Sequence, residues 1–270
     1  MLDADAKPAG SARTARIHRP RVIPVLLLKG DLLYKSVQFK DHKYVGDPRI
    51  AVKIFNDKGC DELVLLDITA TNEGRRPNFQ LIEEIASEAF MPVAYGGGVH
   101  TQEDFAQIIR LGVEKVVLCT RAAEDTSFIA EASRVHGAQS VVVCMDVKKN
   151  WIGKPQLMTH AGTKSVSGSI TDFAKKVAAA GAGEIIVNSI DRDGTFKGYD
   201  IPLIKQVASA VDVPVIACGG AGNLDHVVEA IRQGGASAAA AGSIFVFQGP
   251  HRAVLITFPE EAKLRTAFGH

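Results

Sequence analysis

Short apolar runs alternate along the chain with segments of helical periodicity. Eight such runs are present, and most are continuously apolar, without alternation of apolar and polar residues. Continuous apolar runs are typical of parallel strands that are covered on both faces. The predicted strands are Val22–Leu28, Leu63–Ile68, Pro92–Tyr95, Lys115–Cys119, Ser140–Met145, Glu184–Ile190, Pro214–Ala217 and Ala236–Ala241.

Helical segments fit between these strands, and two of them begin with strong capping signals. Thr101 and Asn223 are good N-caps, followed at the third position by Asp104 and His226 respectively. Eight β–α units in 270 residues favour a closed barrel over an open doubly wound sheet. The predicted helices include Asp47–Lys58, Thr101–Leu111, Ser169–Ala180 and Asn223–Gln233.

The chain also repeats itself, which predicts that the barrel is built from two halves. A motif that begins at Pro92 recurs at Pro214, and the intervals between its residues are unchanged in the second copy. Constant spacing over several units is the signature of an internal repeat. The fold prediction is therefore α/β, a single (β/α)₈ TIM barrel of two half-barrels. The repeated positions are Pro92-Val93, Gly97-Gly98, Ile109-Arg110 and Gly112 in the first half, and Pro214-Val215, Gly219-Gly220, Ile231-Arg232 and Gly234 in the second.

Composition narrows the class of protein without naming a function. The net charge of +1 predicts no nucleic-acid or membrane partner. The four cysteines lack paired spacing, so we expect free thiols and a cytoplasmic location. Nothing in the sequence calls for a metal or a cofactor. We predict a disordered tail over 1–19, the barrel over 20–258 and a C-terminal tail over 259–270.

Each half carries glycines directly after its third strand and small polar residues after its fourth. Glycine lets backbone N–H groups approach a phosphate closely, and barrels bind phosphate at this end of the strands. Two copies predict two phosphate subsites, and hence a ligand with a phosphate at each end. The predicted phosphate-binding residues are Gly97, Gly98, Thr120, Gly219, Gly220, Gly222, Gly242 and Ser243.

Acidic residues at strand ends are the candidates for proton transfer. Asp146 ends the fifth strand between two apolar residues, where a carboxylate can act as a general acid or base. Asp67 ends the second strand, and Asp191 and Asp193 follow the sixth. For Asp191, a loop ion pair with Arg192 is an equally good interpretation.

Four charged residues mark the opposite, amino-terminal ends of the strands: Arg21, Glu62, Lys115 and Glu184. Each alone is best explained as a solvated strand end. Together they offer two positive and two negative charges around the barrel bottom, which predicts a ring of ion pairs. Buried pairs add little net stability, so such a ring suggests a gate or a docking surface.

These motifs together resemble the cyclase subunit of imidazole glycerol phosphate synthase, from about Arg21 to about Phe247. The resemblance implies a barrel of the ribulose-phosphate-binding type in a heterodimer with a glutaminase. It also implies that ammonia enters through a charged gate at Arg21, Glu62, Lys115 and Glu184. At the mouth, ammonia would react with a bis-phosphorylated substrate to give imidazole glycerol phosphate and an aminoimidazole ribonucleotide. The most specific stretches are Asp61–Ala70, Gly96–His100, Gly183–Ile185, Ser189–Thr195 and Ala217–Gly222.

The chain departs from this family at a reacting residue. The family uses two aspartates, at the ends of the first and fifth strands; the second matches Asp146, but Leu27 occupies the first position. The internal repeat also pairs Leu27 with Asp146. Leucine transfers no proton, and loss of a general acid or base typically costs about 10²–10⁴ in rate. Cys119 also replaces a usual asparagine, and the loop Gly30–Lys35 is altered.

The altered parts resemble a branch of the family associated with amidation of bacterial surface sugars. Pro24–Lys29, Lys43–Pro48 and Gly249–Ile256 carry this resemblance. In that branch the barrel and its glutaminase supply ammonia to a separate ATP-dependent amidotransferase of the PP-loop type. Two alternatives stay open: a working cyclase that uses Asp31 as its other acid, and a non-catalytic sensor of a phosphorylated ligand that activates the glutaminase.

Overall fold

The computed structural model describes residues 19–249 and 251–269, and it shows a closed barrel of eight parallel strands. Neighbouring strands pair in chain order, and the last strand pairs with the first through Arg21 and Ala238. All eight predicted strands are confirmed. The barrel strands are β1 (Arg21–Lys29), β2 (Leu63–Asp67), β3 (Val93–Gly96), β4 (Lys115–Leu118), β5 (Val141–Lys149), β6 (Glu184–Ser189), β7 (Val215–Cys218) and β8 (Ala238–Ala241).

Helices cover the outside of the barrel, and the two predicted caps are confirmed. Thr101 accepts a hydrogen bond from the Asp104 amide in a capping box, and Asn223 accepts one from the His226 amide. No helix among the described residues is long and apolar enough to cross a membrane. The helices are α1 (Pro48–Lys58), α2 (Phe79–Glu88), α3 (Gln102–Arg110), α4 (Thr120–Glu124), α5 (Ser127–His136), α6 (Ile170–Ala179), α7 (Ile201–Ala208), α8 (Leu224–Arg232), α9 (Ser243–Val246) and α10 (Glu261–Phe268).

Among the residues that the structure describes, three β-hairpins add to the barrel, and they were not predicted from the sequence. The first follows β1 and pairs with it antiparallel, and the second stands in the same relation to β5. Both therefore extend from the carboxyl ends of barrel strands, at corresponding places in the two halves. The hairpins are formed by Leu32–Val37 with Lys40–Gly46, Pro155–Thr159 with Lys164–Val166, and Phe247–Gln248 with Ala253–Val254.

The core has two layers because strand side chains alternate between the two faces of the barrel wall. The outward side chains pack under the helices, and Tyr95, Phe55 and Phe105 are among the largest that are fully buried there. The inward side chains form a separate apolar cluster that fills the barrel. Its members are Ile23, Val25, Leu27, Val64, Ala94, Val117, Val142, Cys144, Ile186, Ile216, Ala238 and Ala240.

The two ends of the described chain meet at the barrel bottom. Arg19 pairs with Asp61 (2.7 Å) and also with Glu261 of α10. The segment 259–270, predicted to be a tail, contains α10, whose Leu264 and Phe268 are buried. Residues 1–18 of the predicted amino-terminal tail lie outside the described residues.

Candidate functional site

A cavity of about 460 Å³ opens at the carboxyl ends of the strands. Both glycine clusters line it, one from each half of the barrel, and Asp146 lies among them. Seven of the eight predicted phosphate-binding residues are part of this lining. Gly222 is not part of the lining, and its amide donates a hydrogen bond to Nδ1 of His226 (3.0 Å). The seven are Gly97, Gly98, Thr120, Gly219, Gly220, Gly242 and Ser243.

Glycine is required in these loops by close backbone approach. Gly97 has φ of +110°, and a Cβ there would lie 2.3 Å from the carbonyl oxygen of Asp67. Its counterpart in the repeat is Gly219, which has φ of +84°, and a Cβ there would lie 2.6 Å from the carbonyl oxygen of Ser189. Both halves thus have a glycine at positive φ in close contact with a backbone carbonyl group at this repeated position.

Asp146 projects inward from β5 and is almost fully buried. Its Oδ1 accepts a hydrogen bond from Nδ2 of Asn188 on β6 (2.8 Å), and the thiols of Cys119 and Cys144 lie 3.6 and 3.7 Å from its two oxygens. Burial raises the pKa of Asp146 to about 6, nearby Asp193 adds to this, and the Asn188 hydrogen bond opposes it. A carboxyl group with this pKa can give or take a proton near neutral pH.

Leu27 projects into the same cavity from β1, across the barrel from Asp146. Its side chain is 8% exposed and packs in the inward apolar cluster. The mouth therefore presents one carboxyl group and one hydrocarbon at the two equivalent strand ends. Asp31, the other acid considered for this role, is not part of the cavity lining and accepts a hydrogen bond from Asn78 (2.8 Å).

Asp67 lines the cavity, but its oxygens are engaged by its own loop. Oδ1 accepts hydrogen bonds from the amides of Thr69 (3.1 Å) and Ala70 (2.9 Å), and Arg75 lies 3.4 Å from Oδ2. These contacts stabilise the loop after β2. The backbone carbonyl group that approaches Gly97 belongs to Asp67 itself. The geometry thus gives Asp67 a structural role.

Asp191 and Asp193 are separated by the turn that follows β6. Asp191 is not in the cavity lining and accepts a hydrogen bond from the amide of Lys149 (2.8 Å). Asp193 lies in the lining, next to Ser36, whose hydroxyl donates to it (3.3 Å). Burial raises the pKa of Asp193, while the positive charge of Lys35 opposes the rise. The structure therefore brings only Asp193 of this pair to the mouth.

Lys35 is a buried cation in the cavity that sequence reasoning missed. It lies on the first hairpin, and a Cβ added to Gly242 would lie 2.0 Å from its Nζ. Burial lowers the pKa of Lys35, although Asp193 opposes this. The amine thus stands beside the second predicted phosphate subsite. The sequence does contain a signal for the position of Lys35, because this residue lies between Leu33 and further strand-like residues. That pattern predicts a strand and not an open loop.

The four charged residues at the bottom form a closed set of ion pairs, the charged ring (Arg21, Glu62, Lys115 and Glu184). Arg21 contacts both glutamates, and Lys115 Nζ lies 2.9 Å from Glu62 and 2.9 Å from Glu184. The inward apolar cluster lies directly above the ring. Burial lowers the pKa of Arg21, but Glu62 and Glu184 raise it more, so the net direction is upward.

Comparison with known proteins finds similarity to one family along most of the chain. The model of the family described as "Histidine biosynthesis protein" matches residues 21–251. A protein of Pseudomonas aeruginosa, named "Putative imidazole glycerol phosphate synthase subunit hisF2", is 49% identical over 246 residues, which cover 91% of this chain and 98% of that protein.

Two further relatives carry similar names. The subunit HisF of Leptospira borgpetersenii is 47% identical over 242 residues, covering 89% of this chain and 95% of its own. The subunit hisF3 of Vibrio vulnificus is 46% identical over 256 residues, covering 94% and 98%. Both are named "Putative imidazole glycerol phosphate synthase subunit", as the Pseudomonas protein is.

Proposed function

The chain belongs to the histidine biosynthesis protein family, as a HisF-like subunit, and from this premise we propose that it conducts ammonia from a glutaminase partner for amidation of a bacterial surface sugar. The observation that carries the proposal is a difference between the two ends of the barrel. The charged ring at the bottom is complete, whereas Leu27 takes the place of a reacting acid at the top.

The interior supports a route for a small neutral molecule. Side chains between the ring and the mouth are apolar, so they offer no strong hydrogen bonds that would hold ammonia on its way. The ring closes the entrance through ion pairs, which a docked partner can rearrange. Ring charges would also orient that partner, because complementary charges select the docking geometry. A glutaminase that seats on the ring, as one half of a heterodimer, fits both features.

The mouth supports a role other than complete cyclase chemistry. Asp146 can exchange a proton, but Leu27 has no group that can transfer one, and Asp31 is not part of the cavity lining. Ammonia that leaves the mouth then needs a separate enzyme to activate its acceptor. The stretches that resemble the sugar-amidating branch support an ATP-dependent amidotransferase of the PP-loop type as that enzyme.

A cyclase assay tests the proposal against its main alternative. We expect the chain to turn over the bis-phosphorylated substrate with ammonium chloride at least about 10²-fold more slowly than a HisF subunit that has both aspartates. Robust turnover would contradict the proposal, and Leu27→Asp would then have little effect. Complementation of a strain that lacks the histidine-pathway cyclase gives an independent answer.

The ammonia route is tested in the reconstituted complex. Pull-down from the source cell identifies the glutaminase and the amidotransferase with which the complex is reconstituted. With glutamine as the nitrogen source, Lys115→Met is expected to slow sugar amidation, while amidation with added ammonium chloride is unchanged. Equal effects with the two nitrogen sources would contradict a route through the charged ring.

The glycine loops favour a second candidate, a sensor of a phosphorylated ligand that activates the glutaminase. Both loops line the cavity with glycines at positive φ, a type of backbone that lets N–H groups approach a phosphate closely, although one reacting acid is absent. Stimulation of the glutaminase by a bis-phosphorylated ligand would then survive Asp146→Asn. Loss of stimulation in a folded Asp146→Asn protein counts against this candidate.

A further inference from the structure

The three β-hairpins and the strand ends that carry them form a connected surface at the mouth of the barrel, the hairpin platform (29–46, 147–166 and 247–254). The first and second hairpins approach each other closely, because a Cβ at Gly162 would lie 3.0 Å from the ring of Phe39. Lys43 of the first hairpin donates to the carbonyl oxygen of Arg252 in the third (2.8 Å). Phe39 and His160 also line the cavity, so the platform borders its opening.

Most of the large apolar side chains that are exposed among the described residues lie on the platform or directly beside it. Trp151 is the most exposed of them, at 94%. Single exposed apolar side chains are ordinary, but a group of them around one opening indicates an interaction site. The group at the platform is Leu32, Tyr44, Trp151, Ile152, Val254 and Leu255, whereas Ile50, Phe90 and Val135 lie elsewhere.

The tip of the second hairpin segment, 150–154, holds its apolar residues on an ordered turn. Oδ1 of Asn150 accepts hydrogen bonds from the amides of Ile152 (3.1 Å) and Lys154 (3.0 Å), and the Asn150 amide donates to the carbonyl oxygen of Lys154 (2.9 Å). The tip is thus held by backbone and asparagine hydrogen bonds, to which the indole of Trp151 does not contribute. A preordered tip loses little conformational entropy when it binds a partner.

Positive charge is concentrated on the same surface. The three segments of the platform contain nine lysine and arginine residues and two aspartates, although the whole chain has a net charge of only +1. The segment 147–166 has four lysines and no acidic residue, and its Lys148 and Lys154 are exposed on either side of Trp151. Complementary charges select docking partners, so the matching face is acidic around an apolar pocket.

We propose that the hairpin platform is the docking surface for the enzyme that receives the ammonia, and that Trp151 enters an apolar pocket with acidic surroundings on that enzyme. The inference rests on the proposed function, because an enzyme seated over the mouth takes up ammonia before it is lost to solvent. Tryptophan is also among the residues that contribute most to protein interfaces. A membrane fits this position less well, because lipid over the mouth would cover the cavity without accepting ammonia.

Trp151 is the single tryptophan of the chain, so its own signal can report on docking. A barrel labelled with 5-fluorotryptophan gives one ¹⁹F NMR signal. This signal is expected to shift when the unlabelled amidotransferase is added to the barrel–glutaminase pair. Vesicles of phosphatidylglycerol and phosphatidylcholine, or an excess of unlabelled barrel, are expected to leave it unchanged. A signal that the amidotransferase does not change would overturn the proposal, and a response to vesicles alone would indicate a membrane instead.

Substitution of the apolar residues at the tip tests their contribution to affinity. Trp151→Ser is expected to weaken binding of the amidotransferase at least about 10-fold, because a large apolar side chain no longer fills the pocket. Ile152→Ser is expected to weaken it less. Ile50→Ser is the matched control, since Ile50 is exposed to a similar extent on α1, and it should leave binding unchanged. Isothermal titration calorimetry measures all three.

Charge reversal tests the acidic nature of the partner. The double variant Lys148→Glu and Lys154→Glu is expected to slow association with the amidotransferase, and the effect should shrink as salt is added. Lys205→Glu, at an exposed position on α7, is the control and should not change the association rate. Faster association of the double variant would contradict an acidic partner face.

Failure of this inference is distinguishable from failure of the ammonia route. Trp151→Ser should leave glutamine hydrolysis by the barrel–glutaminase pair unchanged, while glutamine-dependent amidation falls and amidation with added ammonium chloride is kept. Lys115→Met should bind the amidotransferase as tightly as the unsubstituted chain does. Unchanged affinity in Trp151→Ser would therefore overturn the docking surface even where the ammonia route holds.

Discussion

At the scale of single residues, burial decides what the ionisable groups of this protein can do. Asp146 and Asp67 both lie on barrel strands and both line the cavity, yet their surroundings differ. Backbone amides and Arg75 surround Asp67, whereas thiols and one amide surround Asp146. The pKa of Asp146 rises because one amide donor and two weak thiol donors compensate only in part for its lost hydration.

Asp146→Asn is expected to stabilise the protein at neutral pH. Because the folded-state pKa of Asp146 is raised from 3.8 to about 6, the folded protein holds a proton that the unfolded chain has released between these pH values. Stability therefore falls as pH rises through this window, and the loss persists at pH 7. Urea unfolding should show a gain of about 3 kcal/mol for Asp146→Asn at pH 7, and little gain below pH 4.

Asp212→Asn is the matched control, since Asp212 is exposed in the loop before β7. It should leave the free energy of unfolding at pH 7 nearly unchanged, because its side chain is exposed. A destabilised Asp146→Asn at pH 7 would show that the carboxylate contributes more to the fold through its hydrogen bonds than it costs through burial.

Lys115→Met is expected to destabilise the protein because it leaves two glutamates facing only Arg21. The Lys115 side chain is 15% exposed and that of Glu62 is 3% exposed, so the charges that lose their partner are poorly hydrated. The expected loss in free energy of unfolding is about 3 kcal/mol. Glu103→Gln, which breaks an exposed pair with Arg110, should have no measurable effect. Similar losses in both variants would contradict a buried ring.

At the scale of elements, the strand–loop–helix units occur in both halves of the barrel. The hairpins attached to them could not be predicted from the pattern of apolar and polar residues. The hairpin after β1 has Gln38, Phe39 and Asp41 at positive φ, without a glycine to signal the turn. Gln38 donates to the carbonyl oxygens of Asp191 and Asp193, so contacts with a distant loop hold this turn. Residues distant in sequence cannot be found in a local pattern.

Gly97→Ala is expected to destabilise the protein much more than Gly112→Ala. Both glycines have positive φ, so both variants carry the ordinary cost of an alanine there, about 1–2 kcal/mol. At Gly97 the new Cβ would also lie 2.3 Å from the Asp67 carbonyl oxygen, whereas at Gly112 the nearest atom would be 3.7 Å away. Thermal unfolding of the two variants measures the difference, and equal melting temperatures would exclude the steric explanation.

At the scale of the whole molecule, contacts between the two ends of the described chain attach α10 to the barrel. Arg19 joins the loop before β2 to α10, and the guanidinium of Arg232 in α8 donates to the carbonyl oxygen of Phe268 (3.1 Å). The helix predicted as a tail is thus attached to the barrel by polar contacts and by two buried side chains. The short amphipathic pattern of α10 in the sequence could not show whether this helix packs against the barrel or extends into solvent.

Leu264→Ala tests whether α10 is part of the cooperative fold. Leu264 is fully buried, so its truncation should cost about 2–5 kcal/mol in free energy of unfolding if α10 unfolds with the barrel. Lys263→Ala, at the exposed neighbouring position, should cost little. If Leu264→Ala leaves the main transition unchanged, α10 unfolds separately.

The sequence by itself determined the barrel, its two halves, the glycine loops and the four charged strand ends. These features are encoded locally: apolar periodicity sets the strands, and constant spacing sets the repeat. Whether the charges pair and which acids reach the mouth were decided only by tertiary structure. Asp191 and Asp193 are two residues apart, yet only Asp193 reaches the cavity. The physical reason is that burial and partners depend on neighbours brought together from other strands.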